Sequence, residues 1–170
     1  MAFKIPFLPI FYFLFPNFTP MTSLQPGQPA PDFTTTDQDG KAISLAQLRG
    51  KKVVLFFYPG DDTPTCTKEA CNFRDNYALL EKEGYVLLGL SGDTAKSHQK
   101  FIKKYSLPFP LLIDEDRTIQ NAYQVYGPKK FMGRDIISIH RTTYVIDEKG
   151  IIEKVIDKVK SAEAAEQVMG

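Results

Sequence analysis

Six apolar residues in a row, Val53 to Tyr58, run without a polar interruption and stop at Pro59-Gly60. A strand of that composition has no solvent-facing side, so it belongs at the centre of a sheet covered on both faces. Pro59 has no N–H to donate and ends the ladder. Asp61, Asp62 and Thr63 are turn and N-cap residue types, and Pro64 suits the first turn of a helix, where a missing N–H costs little. The spacing predicts a helix that starts between Thr63 and Thr65, with Cys66 in its first turn. The first four N–H groups of a helix lack intrahelical acceptors and the helix dipole is positive there. A thiol delivered to such a place is biased toward thiolate, the nucleophilic form, so Cys66 is the candidate reactive cysteine. Thr63 lies three residues before it. It reads as a plain N-cap, or as a hydroxyl that accepts from the thiol and donates to a bound ligand; the spacing leaves both open.

Cys71, the other of the two cysteines, lies five residues after Cys66. On an ideal helix that is a rise of about 7.5 Å and a rotation of about 500°, so the side chains point to different faces. The Cα atoms would be about 8 to 9 Å apart, beyond the limit of about 7 Å for an unstrained disulfide. A bond between them requires the first turns of the helix to unwind. A pair that cycles therefore has a helical reduced form and a locally unfolded oxidised form. Cys71 also reads as a small buried hydrophobe. A permanent structural disulfide conflicts with the helical geometry. No Cys-x2-Cys spacing exists and the two histidines, His98 and His140, are far apart in sequence, so no metal site is expected.

The 170 residues fit one domain, and a hydrophobic fraction of 43% is enough for a globular core. Net charge is +1 and no basic run exceeds a pair, which gives no support for nucleic-acid binding. Residues 1–20 stand apart: Ile5 to Phe15 is nearly all apolar but is punctuated by Pro6 and Pro9, with Pro16 directly after it. That stretch is too short for a transmembrane helix and lacks a clear small-residue cleavage site, so no stable membrane association is expected. The preferred reading is an extension with no role in the fold and a cytoplasmic protein; the alternative is targeting by residues 1–20. Residues 21–170 form the expected domain.

Within it, Phe33–Thr36 and Lys41–Leu45 flank Asp39-Gly40 as a hairpin. Thr65–Glu83 is predicted as one helix stopped by Gly84. Val86–Ser91 is a second buried strand, and Thr94–Tyr105 is a helix in which His98 is expected at the surface. Leu111–Asp114 is a short strand, and a helix from Asp116 or Thr118 to Tyr123 is ended by Gly127-Pro128. Lys129 to Asp135 is expected as a loop or bulge. Strands Ile136–His140, Thr142–Asp147 and Ile151–Ile156 follow, then a helix Ala162–Val168 capped by Ser161. Strands alternating with helices and closing on a hairpin mean an α/β mixed sheet with helices on both faces, a thioredoxin-like fold with insertions. The Cys66 helix then starts at the carboxyl end of a central strand, the usual site side of such sheets.

Pro59, Thr63 and Cys66 form Pro-x-x-x-Thr-x-x-Cys, and with Cys71 five residues on the chain resembles a peroxiredoxin of the bacterioferritin-comigratory-protein, or peroxiredoxin Q, branch. Pro29-Ala30-Pro31-Asp32-Phe33 resembles the opening of that family. Arg141-Thr142-Thr143-Tyr144-Val145-Ile146-Asp147 resembles the late strand that bears its active-site arginine. The resemblance covers about residues 22–168. Gly60 stands where Lys or Ala is frequent, and Thr65 where Gly is frequent. What the resemblance implies is an atypical two-cysteine thiol peroxidase. Cys66 is peroxidatic, Cys71 resolving, and a Cys66–Cys71 disulfide is reduced by thioredoxin or a similar thiol. The substrates are hydroperoxides, and no cofactor is needed. Thr63, the Cys66 N–H and Arg141 would polarise the peroxide, with Pro59 shielding the site. Arg134 is a second candidate arginine, and Glu69 a candidate to orient Arg141 or merely a favourable first-turn charge. With no third cysteine, a monomer can complete the cycle. Two rivals remain: a disulfide oxidoreductase, for which Cys-x-x-Cys is the expected spacing, and a peroxide-sensing protein that turns over slowly.

Overall fold

The computed structural model describes residues 24–170, so the expectations for residues 1–20 lie outside the described residues. Strands β1 (Thr34–Thr36) and β2 (Ala42–Ser44) form the expected hairpin. The Asp37 carboxylate ties its turn by accepting from the N–H groups of Asp39 and Lys41. After a short 3-10 turn, Ala46–Leu48, come β3 (Lys52–Phe57), α1 (Pro64–Asp75), α2 (Tyr77–Lys82) and β4 (Tyr85–Ser91). Then follow α3 (Ala95–Tyr105), β5 (Leu111–Ile113), α4 (Thr118–Ala122), β6 (Tyr126–Phe131) and β7 (Arg134–Ile139). β8 (Thr142–Ile146), β9 (Ile152–Ile156) and α5 (Ala164–Met169) complete the chain.

The main sheet has the order β5-β4-β3-β8-β9, which puts the apolar run at its centre. β3 is parallel to β4 and antiparallel to β8. Successive side chains of a strand face opposite ways, and β3 shows this directly. Val53, Leu55 and Phe57 pack into one layer with Phe33, Leu45, Ile119 and Tyr123 from the hairpin, the 3-10 turn and α4. Val54, Phe56 and Tyr58 pack into the other with Cys66, Phe73, Leu80, Phe101 and Val168 from α1, α2, α3 and α5. Gly89 of β4 sits between Phe56 and Leu111 in the register, and a Cβ there would lie 2.8 Å from the Phe56 ring and 2.7 Å from Leu111. That glycine is what lets the Phe56 ring lie over the sheet.

Three expectations are corrected. The single helix from Thr65 to Glu83 is two helices, broken at Asn76, whose side-chain amide donates to the Asn72 carbonyl at 2.9 Å, as does its backbone N–H at 3.2 Å. The expected loop Lys129–Asp135 belongs to a separate two-stranded hairpin, β6–β7, turning at Met132-Gly133 with φ of 51° and 76°. Pro128 does not end an element. It sits in a strand outside the main sheet, where a missing N–H is tolerated. The last helix starts at Ala164, two residues later than expected, and Ser161 does not cap it. Its cap comes from α1: Asn72 Oδ1 accepts from the Ala165 N–H at 2.8 Å.

Candidate active site

The carboxyl end of β3 and the amino end of β8 lie side by side, because the two strands are antiparallel and Phe57 pairs with Thr142. β3 leaves that end through Tyr58 and Pro59 toward Cys66, and Arg141 precedes β8 at the same end. This topology brings together two residues that lie far apart in sequence. Arg141 Nη2 donates to Cys66 Sγ at 3.1 Å, and Nη1 donates to Glu69 Oε2. Cys66 is the third residue of α1 and is buried, with its N–H among the first-turn donors that lack an intrahelical acceptor. Thr67 N–H closes the first turn on the Thr63 carbonyl at 2.8 Å.

Glu69 follows Cys66 by almost one helical turn and is fully buried. One carboxylate oxygen holds Arg141 and the other, Oε1, has no partner. Burial pushes its carboxyl up to about 7, against the opposing pull of the Arg141 charge. Burial acts against the Arg141 charge too, but the charges of Glu69 and Cys66 outweigh it and hold the guanidinium above its ordinary pKa. The fork of arginine donors is thus divided between a sulfur and a carboxylate, and its plane is fixed by both.

Thr63 occupies the N-cap position with extended backbone, but its hydroxyl caps nothing. It is exposed and donates to the Gly60 carbonyl at 3.1 Å. Pro59 is half-buried in the turn between β3 and Cys66. Cys71 is half-buried further along α1, and both cysteines are free thiols. Arg134 is exposed and pairs with Phe131 next to the tip of the β6–β7 hairpin, with no hydrogen bond or ion pair to Cys66. Arg141 is the guanidinium at the cysteine.

Two residues enter the site region against expectation. His98 is fully buried rather than at the surface: its Nδ1 lies 2.8 Å from Asp61 Oδ2, and its Nε2 lies 3.0 Å from the Leu112 carbonyl. Asp61 belongs to the turn that carries Cys66, so this histidine is part of the support of the site. Lys129 is half-buried and donates to the Ile139 carbonyl at 2.8 Å, two residues before Arg141. Burial, then the Arg141 charge, lower the Lys129 ammonium, while the charge on Cys66 opposes both. Among the described residues there is no cluster of side chains that would hold a metal ion. Nor is any of their helices long and apolar enough to cross a membrane.

The family model described as the AhpC/TSA family matches residues 26–155. The chain is 49% identical over 148 residues to peroxiredoxin bcp of Coxiella burnetii, which spans 87% of this chain and 98% of that protein. It is 47% identical over 129 residues to the chloroplastic peroxiredoxin Q of Triticum aestivum, 76% of this chain and 57% of that one. The solved structure of Xanthomonas campestris bacterioferritin comigratory protein, reported with trapped intermediate and ligand complexes for its alkyl peroxide reduction activity, superposes with a TM-score of 0.77. Its identity is 31%, over 82% of this chain and 88% of that chain. A buried cysteine at a helix start with an arginine on its sulfur, and a match over most of the length, lead to one conclusion: the chain belongs to the AhpC/TSA family, among the peroxiredoxins of the bcp and peroxiredoxin Q kind.

Proposed function

We propose that this protein reduces hydroperoxides, hydrogen peroxide and alkyl hydroperoxides alike, with Cys66 as the attacking sulfur. The observation that carries the reading is the Arg141 Nη2–Cys66 Sγ contact of 3.1 Å at the start of α1. The Cys66 thiolate attacks the terminal peroxide oxygen. A new S–O bond forms, the O–O bond breaks, and the leaving oxygen takes a proton and departs as water or an alcohol. Charge develops on both oxygens in this step. Fixed donors aimed at them, the Arg141 fork and the first-turn N–H groups, lower the barrier without reorganising. Thr63 serves the peroxide once its hydroxyl turns from the Gly60 carbonyl, and Pro59 limits water at the sulfur.

The product is a Cys66 sulfenic acid. Cys71 attacks it, water leaves, and the two sulfurs are joined once α1 has opened. A dithiol protein of the thioredoxin type then exchanges with the disulfide and restores both thiols. Both cysteines lie on one chain, so we take the working unit to be a single chain, residues 21–170, acting in the reducing cytoplasm where such a donor is at hand. The test is the intact mass of the full chain after one equivalent of hydrogen peroxide. Loss of two hydrogens, reversed by thioredoxin, is expected, and Cys66→Ser should leave the peroxide unconsumed. An unchanged native mass would sink the peroxidase reading. Gain of one oxygen without a disulfide would remove Cys71 as the resolving residue.

A further inference from the structure

We infer that Asp61 and His98 form a buried carboxylate–imidazolium pair that positions the loop carrying Cys66. The hydrogen-bond inventory around the ring points to the assignment. The Leu112 carbonyl, 3.0 Å from Nε2, can only accept, so Nε2 carries a proton. The Asp61 carboxyl already accepts from two hydroxyls: Tyr58 Oη donates to Oδ1 at 2.7 Å and Ser97 Oγ donates to Oδ2 at 2.7 Å. An oxygen that accepts in this way is best served as a carboxylate, and Nδ1 at 2.8 Å from Oδ2 is then a donor as well. With both ring nitrogens donating, His98 is a cation. His98 is fully buried and the Asp61 side chain is 4% exposed, so neither charge can stay there without the other.

The pair is tied to the site by covalent adjacency and by what surrounds it. Asp61 lies five residues before Cys66. Its own N–H donates to Asp93 Oδ2 at 2.9 Å, an oxygen that also receives the Ser91 hydroxyl at 2.6 Å. The next residue, Asp62, receives Lys104 Nζ and Tyr105 Oη, each at 2.7 Å, and holds a left-handed φ of 56°. The side-chain bonds of Asp61 and Asp62 therefore run to Tyr58, directly after β3, and to α3, the Asp61 N–H runs to Asp93 just past β4, and none of these bonds runs to α1. The loop is a fixed post from which α1 springs, and the imidazolium is the part of that post with no access to water. Asp61 and His98 touch neither sulfur nor peroxide, so they are positioning residues. Through them the Cys66 sulfur is held against the Arg141 fork, and misplacement of about 1 Å costs about 100-fold in rate.

The kinetic arm of the test rests on the peroxidase reading; the spectroscopic arm does not. A nitrogen-15 spectrum of the native full chain should show both ring nitrogens of His98 as N–H groups near neutral pH. A single ring N–H would mean a neutral ring beside a protonated Asp61 and would overturn the proposal. In single-turnover reaction with hydrogen peroxide, folded His98→Asn should oxidise Cys66 about 10- to 100-fold more slowly than the native chain. Ile119→Ala, a core truncation in the opposite layer, should keep the native rate. Equal rates for His98→Asn and the native chain, or equal slowing in Ile119→Ala, would overturn the positioning role. If His98→Asn does not fold, Ser97→Ala, which removes one of the donors to Asp61, must show slowing in the same direction; a native rate there overturns it. A native chain inert to peroxide sinks the peroxidase reading, and the pair is then judged by the spectrum alone.

Discussion

Glu69 is buried with one oxygen on Arg141 and the other without a partner, and its carboxyl titrates near 7 rather than at the ordinary 4.5. Desolvation is the larger cause, and the arginine only reduces it. Between pH 4.5 and about 7 the folded chain therefore holds a proton that the unfolded chain has released. The contribution of this group to stability is full below 4.5 and is lost as pH rises through about 7. Glu69→Gln keeps the shape and removes the titration. The variant should gain stability relative to wild type as pH rises through that window, read from urea midpoints of both proteins. A constant difference between them across the window would refute the assignment. Glu69 was legible in sequence only as a first-turn charge or an arginine partner; its burial depends on β8 bringing Arg141 across the sheet. His98 and Lys129 were hidden as well. His98 owes its place to Asp61, 37 residues earlier, and periodicity along one helix carries no sign of that; Lys129 owes its place to the Ile139 carbonyl across a hairpin that reads in sequence as a loop. Cys66 was legible because strand, turn and helix signals converge around it, and Arg141 because the stretch it opens resembles the late strand of the family.

At the scale of elements, α1 is held at its two ends by different partners. Its first turn hangs from the loop bonded to α3. Its later turns are clasped to α5 by Asn72, whose Nδ2 donates to the Ala162 carbonyl at 2.8 Å and whose Oδ1 accepts from Ala165 N–H. Cys71 is the residue before Asn72, so bringing Cys71 to Cys66 pulls directly on that clasp. Asn72→Ala removes these two bonds and a longer, exposed one from Nδ2 to Glu166 Oε2 at 3.3 Å, and should cost about 1–2 kcal/mol of stability in the reduced protein. It should also speed disulfide formation after Cys66 has been oxidised, by up to about tenfold if the clasp is open in the transition state. The chain has no tryptophan to report the reaction by fluorescence, so quenched-flow samples read by mass give the rate. A slower or unchanged rate would mean that the clasp is still closed when the sulfurs meet. The helix boundaries explain why this was not foreseen. Composition marks Phe73 to Leu80 as helical throughout, but Asn76 turns back on the Asn72 carbonyl and splits the segment. The β6–β7 hairpin was missed because Gly127-Pro128 has the signature of a breaker and Met132-Gly133 lacks the usual Asn or Asp of a two-residue turn.

Taken as a whole, the molecule has two apolar layers separated by one sheet, and α1 belongs to only one of them. The layer of the hairpin, the 3-10 turn and α4 contains nothing from residues 64–75. The other layer loses Cys66, Ala70 and Phe73 if α1 unwinds, and with Phe73 goes a ring packed 4.7 Å from Phe56. β3 is paired on both sides, by β4 and β8, and neither ladder uses a residue of α1. Oxidation should therefore loosen one side of the molecule and spare the other. Hydrogen exchange of the peroxide-oxidised chain, compared with the reduced one, should show lost protection over residues 64–75 and in α5, which α1 caps. Protection in β3, β4 and β8 and in the layer built on Phe33, Leu45 and Ile119 should stay near the reduced values. Loss spread evenly over both layers would mean that the disulfide unfolds the domain as one unit. Unchanged protection in α1 would mean that the cysteines meet without unwinding, which a five-residue helical spacing does not allow. For the proposed cycle, the sheet's separation of the layers is what would let a disulfide form inside a helix of a protein that is then reduced and used again.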